Sequence, residues 1–322
     1  MTPLYVLISL HRGYGLGDAV QMSAVLRHIA KYRPHWIVDY QADEGKHQVG
    51  RGIVANTFAY GNPYPKHWDV TRSYLVDAYY DTEVQIVLYD TWQARIDRPN
   101  THVTLCLERL GIPWDADCGR YQVDVSAEAR ESASTLLYGW RGVRNSKIKP
   151  DIGCPTRNVR YVAVHYEGDS AQDRKNLTHS QVDDVCCIIE RLGYVPLILD
   201  WRNRSPLPYH RITTPQNWGS DAEMVCSVIS QCAAFVGIDS GPAKCASATN
   251  VPSLVVWTGH HPAPFHDPAP NTTHLVPPEY NGMEPVCGDR GVITWFESHY
   301  NIRHYYGNPI NEISTWLEGV LV

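Results

Sequence analysis

Three short segments carry residues whose types and spacing suit the handling of an anion and of a proton. The first is Val236-Gly237-Ile238-Asp239-Ser240-Gly241-Pro242. An apolar run ends at Ile238, and Asp239 and Ser240 are good helix N-cap residues. Gly241 removes a side chain where a ligand could approach the backbone. The free amides and positive dipole end of the helix that follows would form an anion site. Lys244, about one turn in, would add a charge for a diphosphate. The same residues also make an ordinary strand-to-helix turn, so this segment alone leaves both readings open.

The second segment, Gly13-Tyr14-Gly15-Leu16-Gly17-Asp18, follows the first apolar run. Its glycine spacing fails the G-x-G-x-x-G dinucleotide pattern. Asp18 starts a helix, where a carboxylate could accept a proton from a hydroxyl group. The helix N-terminus is expected to lower its pKa, which favours the ionised form. An N-cap role alone is the plainer alternative. The third segment is His165-Tyr166-Glu167-Gly168-Asp169-Ser170, then Arg174-Lys175-Asn176. Gly168 and Ser170 suit a phosphate-facing loop, and Lys175 would supply a cation.

The elements that must position these residues alternate between strand and helix. Residues 4–10 read as a strand. Residues 18–32 carry Val20, Ala24, Val25, Ile29 and Ala30 at helical spacing. Strands follow at 36–40 and 85–89, with a short helix over 102–110. Residues 140–158, rich in Gly, Pro, Arg, Lys and Asn, read as a linker. The second half reads as strand 161–165, helix 178–192, strand 195–200, helix 221–232, strand 234–238, a helix to about 250, and strand 253–257. Such alternation predicts parallel sheets covered on both faces. Ligands then bind beyond the carboxyl ends of the strands. We therefore expect an N-terminal domain over 1–150 and a C-terminal domain over 151–300. A helix over 301–322 is expected to pack back on the N-terminal domain.

Composition narrows the classes. The chain has 322 residues, 43% hydrophobic and 19% charged, which fits packed globular domains and not disorder. The formal net charge of −6 argues against a protein that grips long polyanions. The 9 cysteines include no CxxC pair, so neither a zinc site nor a disulfide framework is expected. Residues 4–10 are too few to span a bilayer. A cytoplasmic location with reduced thiols is the expectation, and peripheral membrane contact stays open.

Taken together, the segments resemble glycosyltransferase family 9, the ADP-heptose:lipopolysaccharide heptosyltransferase family. The resemblance lies in Gly15-Leu16-Gly17-Asp18, in Gly168, Ser170 and Lys175, in the Val236–Pro242 turn with Ala246 and Ala248, and in Pro252-Ser253-Leu254-Val255-Val256-Trp257-Thr258-Gly259. It departs at Lys244, where the family usually has His, and is poor over 53–150 and 260–322. It implies a GT-B fold, two Rossmann-like parallel-sheet domains facing each other across a cleft, with 1–150 on the acceptor side and 151–300 holding the nucleotide-sugar donor. It also implies inverting, metal-independent transfer of a hexose or heptose. No cofactor is expected beyond the co-substrate, an ADP- or other nucleoside-diphosphate sugar.

The resemblance makes Asp18 the general base. It places Gly17, Gly168, Ser170, Lys175, Asp239, Ser240, Gly241 and Lys244 around the donor's sugar and diphosphate. Asp200 and Trp201, at the end of strand 195–200, and Trp257 are weaker candidates for the nucleoside. The segment Gly259-His260-His261-Pro262, with His266 and Asp267, reads as a donor-covering loop and not as metal ligands. The acceptor would be a hydroxyl on a glycan, a protein, a small molecule or a modified nucleobase. A sugar-nucleotide epimerase or hydrolase, and a noncatalytic sugar-nucleotide binder, are the competing classes.

Overall fold

A computed structural model describes residues 2–60, 82–86, 98–138, 159–169, 172–201, 203–212, 221–284 and 290–322. The strands of the first half are β1 (Leu4–Leu10), β2 (Trp36–Ala42), β3 (Asn56–Ala59) and β4 (Thr82–Ile86), in the order β3-β2-β1-β4. Its helices are α1 (Leu16–Tyr32), α2 (Thr101–Arg109), α3 (Ala116–Gly119) and α4 (Ala127–Tyr138).

The second half runs β5 (Tyr161–His165), α5 (Gln172–Lys175), α6 (His179–Arg191), β6 (Val195–Leu199), β7 (His210–Ile212), α7 (Ala222–Ser230) and β8 (Ala234–Ile238). It continues with α8 (Gly241–Ser247), β9 (Ser253–Val256), α9 (Pro262–Phe265), β10 (Thr272–Val276), α10 (Arg290–His299), β11 (Asn301–His304) and α11 (Ile310–Leu321). Its sheet order is β11-β10-β9-β8-β5-β6-β7. Every described pairing in both sheets is parallel.

The sequence explains this architecture. β5 and β8 are apolar at nearly every position and buried at all of them, as strands covered on both faces must be. α6 is opened by Thr178, whose hydroxyl accepts from the Gln181 amide at 3.3 Å. It buries Val182, Val185, Cys186, Ile188 and Ile189 along one stripe. In both sheets the first strand lies between the second and the fourth. Chain direction across the sheet therefore reverses beside β1 and beside β5. Loops leaving the carboxyl ends of strands splay apart at such a reversal and leave a crevice. Asp18 follows β1, and Asp239 follows β8, which pairs with β5.

The halves share a core. One cluster joins Val6, Ile8 and Leu26 to Val225, Phe235 and Ala246. α1 packs on α8, α4 on α7, and α2 on α9. Polar contacts also cross: the Arg51 guanidinium lies 2.7 Å from the Glu223 carboxylate, and the Gln48 side-chain Oε1 accepts from the Glu223 backbone N–H at 3.1 Å. Of the 9 cysteines, Cys106, Cys118, Cys186, Cys226, Cys232 and Cys245 are buried thiols and Cys187 is an exposed one.

Five expectations need correction or fall outside the described residues. The C-terminal helix does not close back on the first half. α11 buries Ile313, Trp316 and Leu317 against the second sheet's Val164, Ile198 and Val236. The second sheet also runs past residue 300, because β11 pairs with β10 and gives it a further edge. The 140–158 linker, residues 87–89 of the expected strand 85–89, and Ser170 lie outside the described residues.

Trp316 is 4% exposed, and its indole N–H donates to the Thr273 hydroxyl at 3.2 Å. Trp316→Ala should cost about 3–5 kcal/mol in urea unfolding. A loss below about 1 kcal/mol would contradict this placement of the helix.

Candidate functional site

Two helix starts meet face to face. A Cβ added to Gly241 would lie 2.9 Å from the Leu16 Cβ and 3.0 Å from the Gly17 amide nitrogen. A Cβ added to Gly17 would lie 3.1 Å from the Lys244 Nζ and 3.3 Å from the Gly241 Cα. Only glycine lets these backbones come this close. At Gly241 the approaching group is therefore the α1 backbone, where the sequence suggested a ligand.

This approach gathers the charged residues. Asp18 sits in the first turn of α1, and its carboxylate accepts from the Gly15 amide at 2.9 Å. Burial pushes its pKa above the usual value, against the pull of the Lys244 ammonium, the Gly15 amide and Lys175. The expected lowering at the helix N-terminus is thus overturned by desolvation, which penalises the charged form. A carboxylate with a raised pKa is the stronger base.

Asp239 lies across from it, 6% exposed. Its carboxylate is 3.4 Å from the Lys175 Nζ, 3.7 Å from the Lys244 Nζ and 3.5 Å from the His260 Nδ1. Burial would raise its pKa, but Lys244, the His260 hydrogen bond and Lys175 outweigh it and hold the carboxyl well below the usual range. Two ammonium groups therefore converge on one anion beside Asp18. The Ser240 hydroxyl caps α8, accepting from the Ala243 amide at 3.4 Å. Gly168 donates its amide to the Asn176 Oδ1 at 2.9 Å, which folds the β5–α5 turn and delivers Lys175.

The loop after β9 completes the site. The Thr258 hydroxyl donates to the Arg174 carbonyl. A Cβ on Gly259 would meet the Arg174 carbonyl oxygen at 3.2 Å. His260 is carried to Asp239 by this contact. β8 and β9 are neighbours, so strand adjacency was the signal that could have placed His260 beside Asp239. The expectation of a donor-covering loop over 259–267 is corrected. His260, His261, His266 and Asp267 are all buried, with the His261 ring 4.4 Å from that of Phe296 and the Asp267 carboxylate accepting from the Ser247 hydroxyl at 2.7 Å.

The nucleoside candidates fare unevenly. Trp257 is 1% exposed and donates its indole N–H to the His274 Nδ1 at 3.0 Å. It is a core residue here and offers no face for a base, which corrects that expectation. Asp200 uses both carboxylate oxygens on backbone amides, those of Arg204 at 3.0 Å and Ser205 at 2.8 Å. It is a turn-former. Trp201 is half-buried, with its ring 6.1 Å from that of His165.

Sequence reasoning passed over His102 and Gln21. Both are buried, and both side chains lack hydrogen-bond partners among the described residues. It also passed over Asp115-Ala116-Asp117, an acidic triplet of the spacing some transferases use for a metal. Asp115 caps α3 by accepting from the Asp117 amide at 2.9 Å, and it is held by Lys31 and Tyr32. Among the described residues no cluster of three or more His, Cys, Asp or Glu side chains is placed to hold a metal ion.

No family model matches the chain, and no curated protein matches it. Solved structures do. A glycosyl transferase of family 9 from Veillonella parvula superposes with a TM-score of 0.64 at 14% identity, over 100% of this chain and 98% of that one. The E. coli ADP-heptose lps heptosyltransferase II gives 0.56 at 12% identity, over 98% and 100%. The heptosyltransferase TibC in complex with ADP-D-beta-D-heptose gives 0.62 at 13% identity, over 100% and 78%. The chain resembles these glycosyltransferases along its whole length and has their GT-B fold.

Gly241→Ala should cost about 1–3 kcal/mol by urea unfolding, because its new methyl meets backbone that cannot step aside. An unchanged midpoint would show that the two helix starts are not held together.

Proposed function

We propose that the chain is an inverting glycosyltransferase that moves a sugar from a nucleoside-diphosphate donor to an acceptor hydroxyl. One observation carries this reading. A buried carboxylate from the first half, Asp18, stands beside a two-lysine cluster from the second half, Lys175 and Lys244. The first group suits a proton acceptor, and the second suits a leaving diphosphate.

In this reading the acceptor hydroxyl gives its proton to the Asp18 carboxylate as its oxygen attacks the anomeric carbon. The bond from that carbon to the diphosphate oxygen breaks, and its electron pair leaves with the nucleotide. Attack from the face opposite the leaving group inverts the anomeric centre. Lys175 and Lys244 neutralise the charge that develops on the diphosphate. Preorganised groups of this kind are worth roughly 3–4 kcal/mol each in other enzymes. Asp239 orients both ammonium groups before the donor arrives and accepts from the sugar's hydroxyls afterwards. Gly168, Ser240 and the backbone at Gly17 shape the surrounding loops, and Trp201 is the remaining aromatic candidate for the nucleoside.

Charge neutralisation falls to the two lysines, so the proposed transfer requires no divalent metal. The ADP-heptose in the TibC complex makes ADP-sugars the first donors to try. Lys244, where the family usually has His, widens the panel to other nucleoside-diphosphate sugars. The acceptor is any hydroxyl-bearing molecule small enough to enter the crevice. No described helix is long and apolar enough to cross a membrane, and the proposed setting is the cytoplasm, where nucleotide sugars are made.

The test begins with a thermal-shift panel of nucleoside diphosphates and nucleotide sugars. A ligand that binds the native state raises its melting temperature in step with occupancy. With the donor in hand, Asp18→Asn should lower kcat by about 10²- to 10⁴-fold and leave donor affinity unchanged. Wild-type activity should rise with pH through the Asp18 pKa, with its acid limb above the ordinary carboxylate range, because only the ionised form accepts a proton. Near-normal turnover by Asp18→Asn sinks the general-base role. Lys175→Ala should weaken donor binding by roughly tenfold or more, the loss of a charge-assisted contact. Equal affinity in that variant argues against its place at the diphosphate.

A further inference from the structure

The second residue of α2 is His102, 4% exposed. Neither of its ring nitrogens has a hydrogen-bond partner among the described residues. A buried polar group left in this state is destabilising, and native proteins keep few of them. His102 carries two such atoms in one ring.

Its surroundings place it on the donor side of the crevice. Its ring meets Phe265 edge-on, with centroids 4.9 Å apart. Phe265 in turn lies 5.2 Å from the ring of His260, which is the histidine at Asp239. The charges of Lys244 and Asp239 reach the His102 ring.

Further polar atoms lie on the neighbouring helix. Gln21 follows Asp18 by three residues on α1, and so shares its face. Gln21 is fully buried, and both its amide oxygen and its amide nitrogen lack partners among the described residues. α1 packs against α2. Together the two helices hold four buried atoms able to make hydrogen bonds and making none.

We propose that His102 recognises a hydroxyl of the transferred sugar, donating from one ring nitrogen and accepting at the other. The inference rests on the glycosyl-transfer reading above and names a residue that selects the sugar. Its chemistry follows from the imidazole. Burial lowers the ring's pKa to about 4, so the ring is neutral near pH 7. A neutral imidazole has one N–H and one lone pair. A sugar hydroxyl presents the same pair, one O–H and free lone pairs. A diphosphate would call for a cation, and Lys175 and Lys244 already supply two. The flat ring of Phe265 fixes the imidazole edge-on, so the direction of both nitrogens is set before the sugar arrives.

The test compares each sugar nucleotide with its own nucleoside diphosphate. ADP-heptose, UDP-glucose and GDP-mannose are titrated calorimetrically into the full-length protein, beside ADP, UDP and GDP. In His102→Phe, the sugar nucleotide that binds wild type most tightly should lose about tenfold or more in affinity, the value of an orphaned polar contact. The matching nucleoside diphosphate should bind within about twofold of wild type, because the diphosphate contacts are elsewhere. His102→Gln, which keeps a donor and an acceptor, should recover part of the loss. Equal weakening of both ligands, or of neither, overturns the assignment. If His102→Phe does not fold, His102→Gln against His102→Leu makes the same comparison. A wild-type protein that binds none of the six ligands refutes the glycosyl-transfer reading, and the assignment falls with it. Normal wild-type binding with no sugar-specific loss in the variants refutes only the role of His102.

Discussion

The site depends on one close approach, that of the α1 start to the α8 start across Gly17 and Gly241. Each helix presents free amides and a positive dipole end, so pressing two such ends together is electrostatically unfavourable. The charges around them offset this. Asp18 accepts from the Gly15 amide just ahead of α1, Ser240 caps α8, and Asp239 sits between two ammonium groups. The geometry that brings Asp18 to Lys244 is therefore also what makes the carboxylates necessary. A side chain at Gly241 would press on the α1 backbone, and one at Gly17 on the Lys244 ammonium.

Burial acts in opposite directions on the two carboxylates. Asp18 has one backbone donor and more distant lysines, so desolvation wins and its proton affinity rises. Asp239 has two lysines and a histidine at 3.4–3.7 Å, so pairing wins and it stays ionised. A site with one carboxylate that can take a proton and one that cannot has its roles divided by environment, not by residue type. A buried ion cluster of this kind contributes little net stability, because desolvation opposes the attraction. Its value lies in holding two ammonium groups where an anion can later share them.

Most of this was legible in the sequence where local signals are strong. The strand-to-helix turns at Gly13–Asp18 and Ile238–Pro242 carry their own start residues and glycines, and α6 announces itself by Thr178 and its apolar stripe. The Asp18–Lys175–Asp239–Lys244 grouping was what the family resemblance implied. What stayed hidden depends on tertiary packing. Nothing local says that Trp257, at the end of a strand, turns its ring inward to His274. Nothing local says that the histidines of 260–266 are interior residues, because Pro and His at a turn look the same exposed or buried. α11 was visible as a helix, but its partner was not. An apolar face specifies burial and leaves open which surface receives it. His102 had no signal at all, since a lone histidine in a short helix becomes informative only when its ring nitrogens are found without partners.

The core that joins Val6 and Ile8 to Phe235 and Ala246 has a further consequence for how the protein can be taken apart. In many two-lobed proteins each lobe has its own interior and can be grafted onto a foreign partner. Here α1 packs on α8 and α4 on α7, so part of each helix is covered by the other lobe. A graft that exchanged one lobe would leave those faces wet unless the facing helix travelled with it. Pulling the two lobes apart would expose that shared core to water.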